Sequence, residues 1–264
     1  MAAGRGERLA AVVLGASNVS RGLARLAAAV RGRSPLPADL FVAAGHGRSY
    51  GANSRVWMRR LPSILWCGLW RALDREGIGR DAGGRTVALV TDVGNDLLYG
   101  FTPAQVAAWV EEAVARLGDR GADVTITRLP LEAIATVGAA RYRLLRTLFV
   151  PGCPLSLDEV RAAVTELDER LVDVAVRRGA GLVEQPGHWY GLDALHPRRG
   201  RLDTLWHAVC DSWRLPEAPR RGATVGEWVS LARHGAEVRS LARVALFTPQ
   251  PVCRFSEGGA LSLY

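Results

Sequence analysis

Apolar positions along the chain follow two alternating patterns. Short continuous apolar runs are typical of buried strands, and longer stretches with apolar residues at i, i+3 and i+4 are typical of amphipathic helices. The alternation predicts an α/β fold with a mainly parallel sheet covered on both faces. The predicted strands are Leu9 to Leu14, Leu40 to Ala44, Val87 to Val90, Val124 to Leu129 and Gly181 to Glu184. The predicted helical stretches are Leu23 to Val30, Val56 to Arg75, Val106 to Leu117 and Leu157 to Val176.

The pattern changes from about Pro216 onwards. The stretch from Thr224 to Val244 has helical spacing, and the segment that follows, rich in proline and glycine, is predicted to be irregular. We therefore expect a main domain over residues 1–215 and a C-terminal extension over residues 216–264, partly helical and then irregular.

Residues that could take part in catalysis follow three of the predicted strands. Ser17 lies after the first strand, Gly51 after the second and Asn95 after the third, and ligands of parallel sheets bind beyond the carboxyl ends of the strands. Further along the chain, Asp193 stands three residues before His196, which Pro197 follows. A serine hydroxyl becomes an effective nucleophile when a carboxylate orients an imidazole beside it. We predict Ser17 as nucleophile, His196 as base and Asp193 as the orienting acid, with the Ser17 and Gly51 amides and the Asn95 side chain as oxyanion donors.

Four blocks in this order resemble the SGNH hydrolases, also called the GDSL esterase/lipase family. They are Gly15-Ala16-Ser17, Ser49-Tyr50-Gly51-Ala52-Asn53, Val93-Gly94-Asn95-Asp96 and Asp193-Ala194-Leu195-His196-Pro197. The resemblance covers about residues 10 to 200. It implies a three-layer α/β/α sandwich with a parallel sheet of about five strands, serving esterases, lipases, thioesterases and carbohydrate deacetylases.

Two positions depart from that family's pattern. Ala16 stands where the family has aspartate before the nucleophile, and Val93 replaces the first glycine of the asparagine block. The family's catalytic roles fall on neither position, so the departures concern loop conformation. Gly45 and Gly47 are alternatives to Gly51, which we prefer for its Ser-x-Gly surroundings.

The charge of the chain does not by itself indicate a nucleic-acid partner. The formal net charge is +8, but all 34 basic residues are arginine. The absence of lysine and the scarcity of isoleucine and asparagine resemble the bias of a GC-rich genome. The absence of lysine excludes Walker-type phosphate loops and Schiff-base chemistry. We therefore expect no nucleic-acid partner.

Other features narrow the expected setting. Four widely separated cysteines suggest neither a zinc site nor a redox pair. No long apolar run and no signal-peptide pattern are present, so we expect a cytoplasmic protein without stable membrane insertion. The predicted chemistry needs no cofactor and no metal.

The substrate is expected to be a small-molecule, acylated carbohydrate or lipid ester. Trp189 and Tyr190, directly before the Asp193 block, are the predicted substrate contacts. A catalytically silent binding protein with the same fold and an acyltransferase that uses the same serine remain alternatives. A dinucleotide-binding oxidoreductase fits poorly because the loop after the first strand lacks the Gly-x-Gly-x-x-Gly spacing.

Overall fold

The computed structural model describes residues 7–79, 84–150, 152–219, 222–242 and 244–264. The strands are β1 Arg8–Leu14, β2 Ala38–Ala43, β3 Ser54–Val56, β4 Arg59–Leu61, β5 Gly84–Val90, β6 Asp123–Thr127, β7 Gly181–Val183, β8 Val238–Leu241, β9 Val244–Phe247, β10 Cys253–Arg254 and β11 Gly259–Leu263. The helices are α1 Ser17–Arg33, α2 Leu69–Arg75, α3 Asn95–Leu98, α4 Pro103–Gly118, α5 Leu131–Ala135, α6 Ala139–Phe149, α7 Leu157–Arg178, α8 Leu202–Ser212 and α9 Val225–Ala232.

The central sheet has the strand order β10-β11-β2-β1-β5-β6-β7. All neighbours in it are parallel except β10, which runs antiparallel to β11. The five strands predicted from the apolar runs form its parallel centre, so the predicted fold class is confirmed. Because these strands share one direction, the loops after β1, β5 and β7 all emerge at the same edge of the sheet.

Each face of the sheet packs against its own layer of helices. In β1 the side chains alternate, so Ala10, Val12 and Leu14 join one core cluster while Leu9, Ala11 and Val13 join the other. Apolar residues of α2, α4 and α7 fill the first cluster, and those of α1 and α8 fill the second. The result is a three-layer α/β/α sandwich.

Start signals fix two of the predicted helices. Thr102 and Gln105 form a capping box at the start of α4, with Pro103 in the first turn. Ser156 and Glu159 form the capping box of α7. No helix within the described ranges is long and apolar enough to cross a membrane.

The stretch from Val56 to Arg75 is not one helix. Its first part contains β4 and a short 3-10 turn, and only α2 is α-helical. Pro62 separates these pieces, since a proline cannot continue a helix from the residues before it.

The C-terminal extension, predicted to be partly helical and then irregular, contains strands in the structure. Among its described residues only those of α9 are helical, and β8 and β9 join β3 and β4 in a second, four-stranded sheet. The tail expected to be irregular forms β10 and β11, and β11 pairs in parallel with β2. Residues 259–263 therefore belong to the central sheet.

Candidate active site

Ser17 occupies the first position of α1, directly after the turn that follows β1. Its side chain is almost buried, and its Oγ lies 2.9 Å from Nε2 of His196. The two residues are 179 positions apart in sequence. The fold thus brings the predicted nucleophile and base within hydrogen-bonding distance.

Asp193 contacts the other nitrogen of the same ring. Its Oδ2 bonds Nδ1 of His196, and its Oδ1 accepts a hydrogen bond of 2.8 Å from the Leu195 amide. Burial alone raises the pKa of Asp193, but the hydrogen bond and charge of His196 outweigh it and lower the pKa. The carboxylate is therefore held ionised, in the state that orients an imidazole.

The loop that carries Asp193 and His196 is fixed at both ends. Tyr190 and Pro197 form an isolated antiparallel bridge, and the Arg198 amide donates to the Trp189 carbonyl at 2.9 Å. Arg141 of α6 donates to the carbonyl of Gly191 at 2.6 Å. These contacts restrict the motion of the loop.

Asn95 supplies an unpaired donor next to the serine. It begins α3 and lines the same cavity as Ser17. Its Nδ2 is fully buried, and no acceptor for it occurs among the described residues. A buried amide without a partner is costly, which is typical of groups that bind a ligand.

Gly51 packs closely against an aromatic ring. A Cβ at this position would come within 2.0 Å of the Trp109 indole, so the glycine is required for packing against that ring. Gly51 lines neither the cavity that contains Ser17 nor the larger cavity next to it along α1. Gly45, the alternative from the same loop, lines the larger of them.

Asp92 is a site residue that the sequence analysis missed. One of its carboxylate oxygens accepts hydrogen bonds from the amides of Ala16 at 2.8 Å and Asn18 at 2.9 Å, and the other accepts from Asn18 Nδ2 at 2.7 Å. The Ser17 amide is not among its donors. The carboxylate caps the start of α1.

The backbone of Asp92 is itself unusual. Its φ of +59° lies in the left-handed region, which few residues other than glycine adopt and in which aspartate and asparagine are enriched. Asn18 extends the contact, because its Nδ2 also lies 3.4 Å from the Leu195 carbonyl in the histidine loop. Asp92 and Asn18 thus connect three strand-end loops.

No protein-family model matches the chain, and no curated protein matches its sequence. Among solved structures, the chain is similar to Est24, a carbohydrate acetylesterase from Sinorhizobium meliloti, with a TM-score of 0.51 and 13% identity over 77% of this chain and 98% of that chain. The M. smegmatis aryl esterase gives a TM-score of 0.48 and 12% identity over 77% and 98% of the two chains. The likeness to Est24 extends to nearly all of that protein. The predicted SGNH-type fold is confirmed.

In this SGNH-type fold, a narrow cavity of about 100 Å³ adjoins Ser17 and Asn95. Its walls are mostly apolar and come from α5, α6, α7 and the residues around them: Leu129, Pro130, Ile134, Val137, Leu145, Val150, Leu157, Val160 and Val164. No sequence motif assigns a role to the α5 and α6 segments. Their helical spacing alone cannot distinguish a cavity wall from ordinary core.

Of the two predicted substrate contacts, one lines this cavity. Tyr190 does so, and its hydroxyl donates to Gln185 at 2.8 Å. Trp189 is buried in the core on the side of α1 and α8, and it does not line the cavity. A substrate contact of Trp189 therefore stays a prediction, and the lining of this cavity does not support it.

Proposed function

We propose that this protein hydrolyses carboxylic esters through an acyl-serine intermediate on Ser17. The observation that carries the proposal is the hydrogen-bonded chain from Asp193 through His196 to Ser17, beside a cavity that Asn95 also lines. The shared fold with Est24 concerns architecture alone. The support for ester hydrolysis comes from these side chains.

In the proposed reaction, Ser17 Oγ attacks the ester carbonyl while His196 Nε2 accepts its proton. The bond between the carbonyl carbon and the leaving oxygen then breaks, and His196 returns the proton to that oxygen. Water repeats the sequence on the acyl-serine and releases the acid. Asp193 keeps the imidazole oriented and stabilises its cationic form.

The negative oxygen of the tetrahedral intermediate requires donors that are already in position. The Nδ2 group of Asn95 is a suitable donor because it is buried and without an acceptor among the described residues. The Ser17 amide is a second one, since Asp92 accepts from the amides on both sides of it and not from Ser17. Gly51 is left out of this proposal because it packs against Trp109.

We assign the acyl group of the substrate to the narrow apolar cavity. Burial of a hydrocarbon chain against its leucine, isoleucine and valine side chains is favourable at about 25 cal/mol per Å². A volume of about 100 Å³ suits a short acyl chain.

The decisive experiment uses a fluorophosphonate probe and a panel of nitrophenyl esters from acetyl to palmitoyl. We expect the wild type to be labelled and to hydrolyse short esters, while Ser17→Ala and His196→Ala lose both properties. Ser34→Ala, at the far end of the same helix, is the matched control and is expected to behave like the wild type. Asp193→Asn should lower turnover by roughly a thousandfold, because the imidazole then loses its ionised partner.

Two outcomes distinguish the alternatives. If the wild type is not labelled and Ser17→Ala binds every tested ester with unchanged affinity, the protein is a binding domain and the proposal fails. If added alcohols receive the acyl group in place of water in most turnovers, the same serine serves an acyltransferase.

A further inference from the structure

A second and much larger cavity is lined by residues that directly follow Ser17 and Asn18 on α1. Its volume is about 950 Å³, and it begins at the first turns of α1, with Val19, Ser20 and Arg21, and at the loop after β2, with Gly45 and His46. Its far wall comes from the segment that contains α9 and from β4 and β8. The proposed function does not use this space.

The lining of this cavity carries a strongly one-sided charge. Six arginines and two histidines, His46 and His234, line it. Among the described residues no aspartate or glutamate lines it. The arginines that line it are Arg21, Arg25, Arg59, Arg199, Arg233 and Arg239. A cleft lined by one sign of charge with low-dielectric walls concentrates ions of the opposite sign.

These cations are poorly compensated within the protein. Arg25 pairs with Asp203 at 3.0 Å. Within the described part of the chain, Arg59 donates to the His46 carbonyl at 3.1 Å, and Arg239 donates to the Ala236 carbonyl and the Thr248 hydroxyl. Nη1 of Arg21 is buried and has no acceptor among the described residues.

The arginines also act on one another. Burial lowers the pKa of Arg59, and the charge of Arg239 lowers it further. Desolvation and the charge of Arg59 lower the pKa of His46. Such mutual repulsion is unfavourable for the folded chain, and an anion in the cavity would relieve it.

The basic cavity lies within electrostatic reach of the catalytic groups. Arg21 stands one helical turn after Ser17 on α1, and the charge of Asp193 acts on its pKa, as that of His196 does on His46. Ser17 lines the narrow apolar cavity, and residues two to four positions after it on α1 line the wide basic one. An ester with its carbonyl at Ser17 would extend its two halves into these different surroundings.

We propose that the basic cavity binds a leaving group that carries phosphate, so that the substrate is an apolar acyl ester or thioester of a phosphorylated alcohol or thiol. The inference rests on the proposed ester hydrolysis and specifies its substrate class. Guanidinium groups bind phosphate oxygens through paired N–H donors, and six of them exceed what one carboxylate could use.

The test compares two substrates with the same ester bond, hexanoylglycerol 3-phosphate and hexanoylglycerol. We expect kcat/KM of the wild type to favour the phosphorylated ester by roughly tenfold or more, and the preference to fall as salt rises. Arg59→Glu should abolish the preference. Hexanoyl-coenzyme A against hexanoyl-N-acetylcysteamine is the thioester arm, which distinguishes a phosphorylated thiol from a phosphorylated alcohol.

Arg60→Ala is the matched control. Arg60 neighbours Arg59 on β4 but is exposed and does not line the cavity, so both rates should stay at the wild-type level. Equal rates for the phosphorylated and uncharged members of both pairs, unaffected by Arg59→Glu, would overturn this inference while leaving ester hydrolysis intact. Failure to hydrolyse even hexanoylglycerol and nitrophenyl hexanoate would instead overturn the proposed function.

Discussion

The carboxylate of Asp92 accepts a hydrogen bond of 2.8 Å from the backbone amide of Ala16. Ala16, directly before Ser17, therefore contacts an acidic side chain although it has none itself. The loop after β5 supplies the charge to the loop after β1. The relationship makes Asp92 a positioning residue, since it acts through the backbone around Ser17 and through Asn18.

The first prediction concerns this residue. Asp92→Ala should lower the free energy of unfolding by about 1–3 kcal/mol, because buried amides lose a charged acceptor, and should lower kcat more than it changes KM. Asp92→Asn should retain more of both, since asparagine tolerates the left-handed backbone and keeps an acceptor oxygen. Urea unfolding and steady-state kinetics on a nitrophenyl ester measure the two effects. Equal kcat for all three proteins would contradict the positioning role.

The second prediction separates turnover from stability at Asn95. Asn95→Ala should lower kcat by roughly a hundredfold or more, as expected for the loss of one oxyanion donor. The free energy of unfolding should not fall, because the buried Nδ2 has no acceptor among the described residues and its removal relieves a desolvation cost. Asn53→Ala, in the exposed part of another loop, is the control. A variant at Asn95 with full turnover would exclude the oxyanion role.

The third prediction tests the apolar cavity as the acyl site. Val160→Phe adds a ring to one of its walls, so octanoyl esters should lose roughly tenfold or more in kcat/KM while acetyl esters lose little. Val176→Phe lies on the same helix but is 77% exposed, and it should leave the chain-length profile as it is. An unchanged profile in the Val160 variant would place the acyl chain elsewhere.

The fourth prediction concerns Asp96, which accepts a hydrogen bond of 3.0 Å from the Tyr50 amide. Burial raises the pKa of Asp96 from 3.8 to about 6, although the Ser49 hydroxyl and the Tyr50 amide act to lower it. Between these values the folded state holds the proton more tightly than the unfolded chain does. The contribution of Asp96 to the free energy of unfolding should therefore decrease as pH rises from about 4 to about 6, by on the order of 3 kcal/mol.

Urea unfolding at pH 4.5 and pH 7.5 checks this prediction. The stability of Asp96→Asn relative to the wild type should rise between the two pH values, because the variant has no carboxyl to ionise. Asp119→Asn, a change at an exposed carboxylate, is the control. A stability difference between Asp96→Asn and the wild type that stays constant across this range would show that burial does not raise the pKa of Asp96.

Local patterns predicted much of the fold and several members of the candidate site. The five predicted strands follow from apolar runs. Asp193 and His196 are close in sequence, so the contact between the Asp193 carboxylate and the imidazole of His196 could be foreseen. The contact with Ser17 followed from the expectation that strand-end loops meet at one edge.

Other features depend on pairings that no local pattern records. The pairing of β11 with β2 joins segments about 220 residues apart. The division of the apparent helix from Val56 to Arg75 at Pro62 is a separate, local feature. Asp92 gained its role only because β5 lies beside β1 in the sheet. The sequence could not decide between Gly51 and Gly45 as oxyanion donor, because three glycines follow β2 and only the folded chain shows that Gly45 lines a cavity while Gly51 does not.

The pairing of β11 with β2 also has a consequence for the order in which the molecule is completed during synthesis. Ser17, Asn95, Asp193 and His196 have all been added once the chain reaches residue 196. The cavity wall that carries Arg233 and Arg239 comes later, and it is tethered on both sides only when residues 259–263 dock along β2. A ribosome therefore finishes the proposed catalytic residues well before it finishes the residues that line the proposed phosphate site.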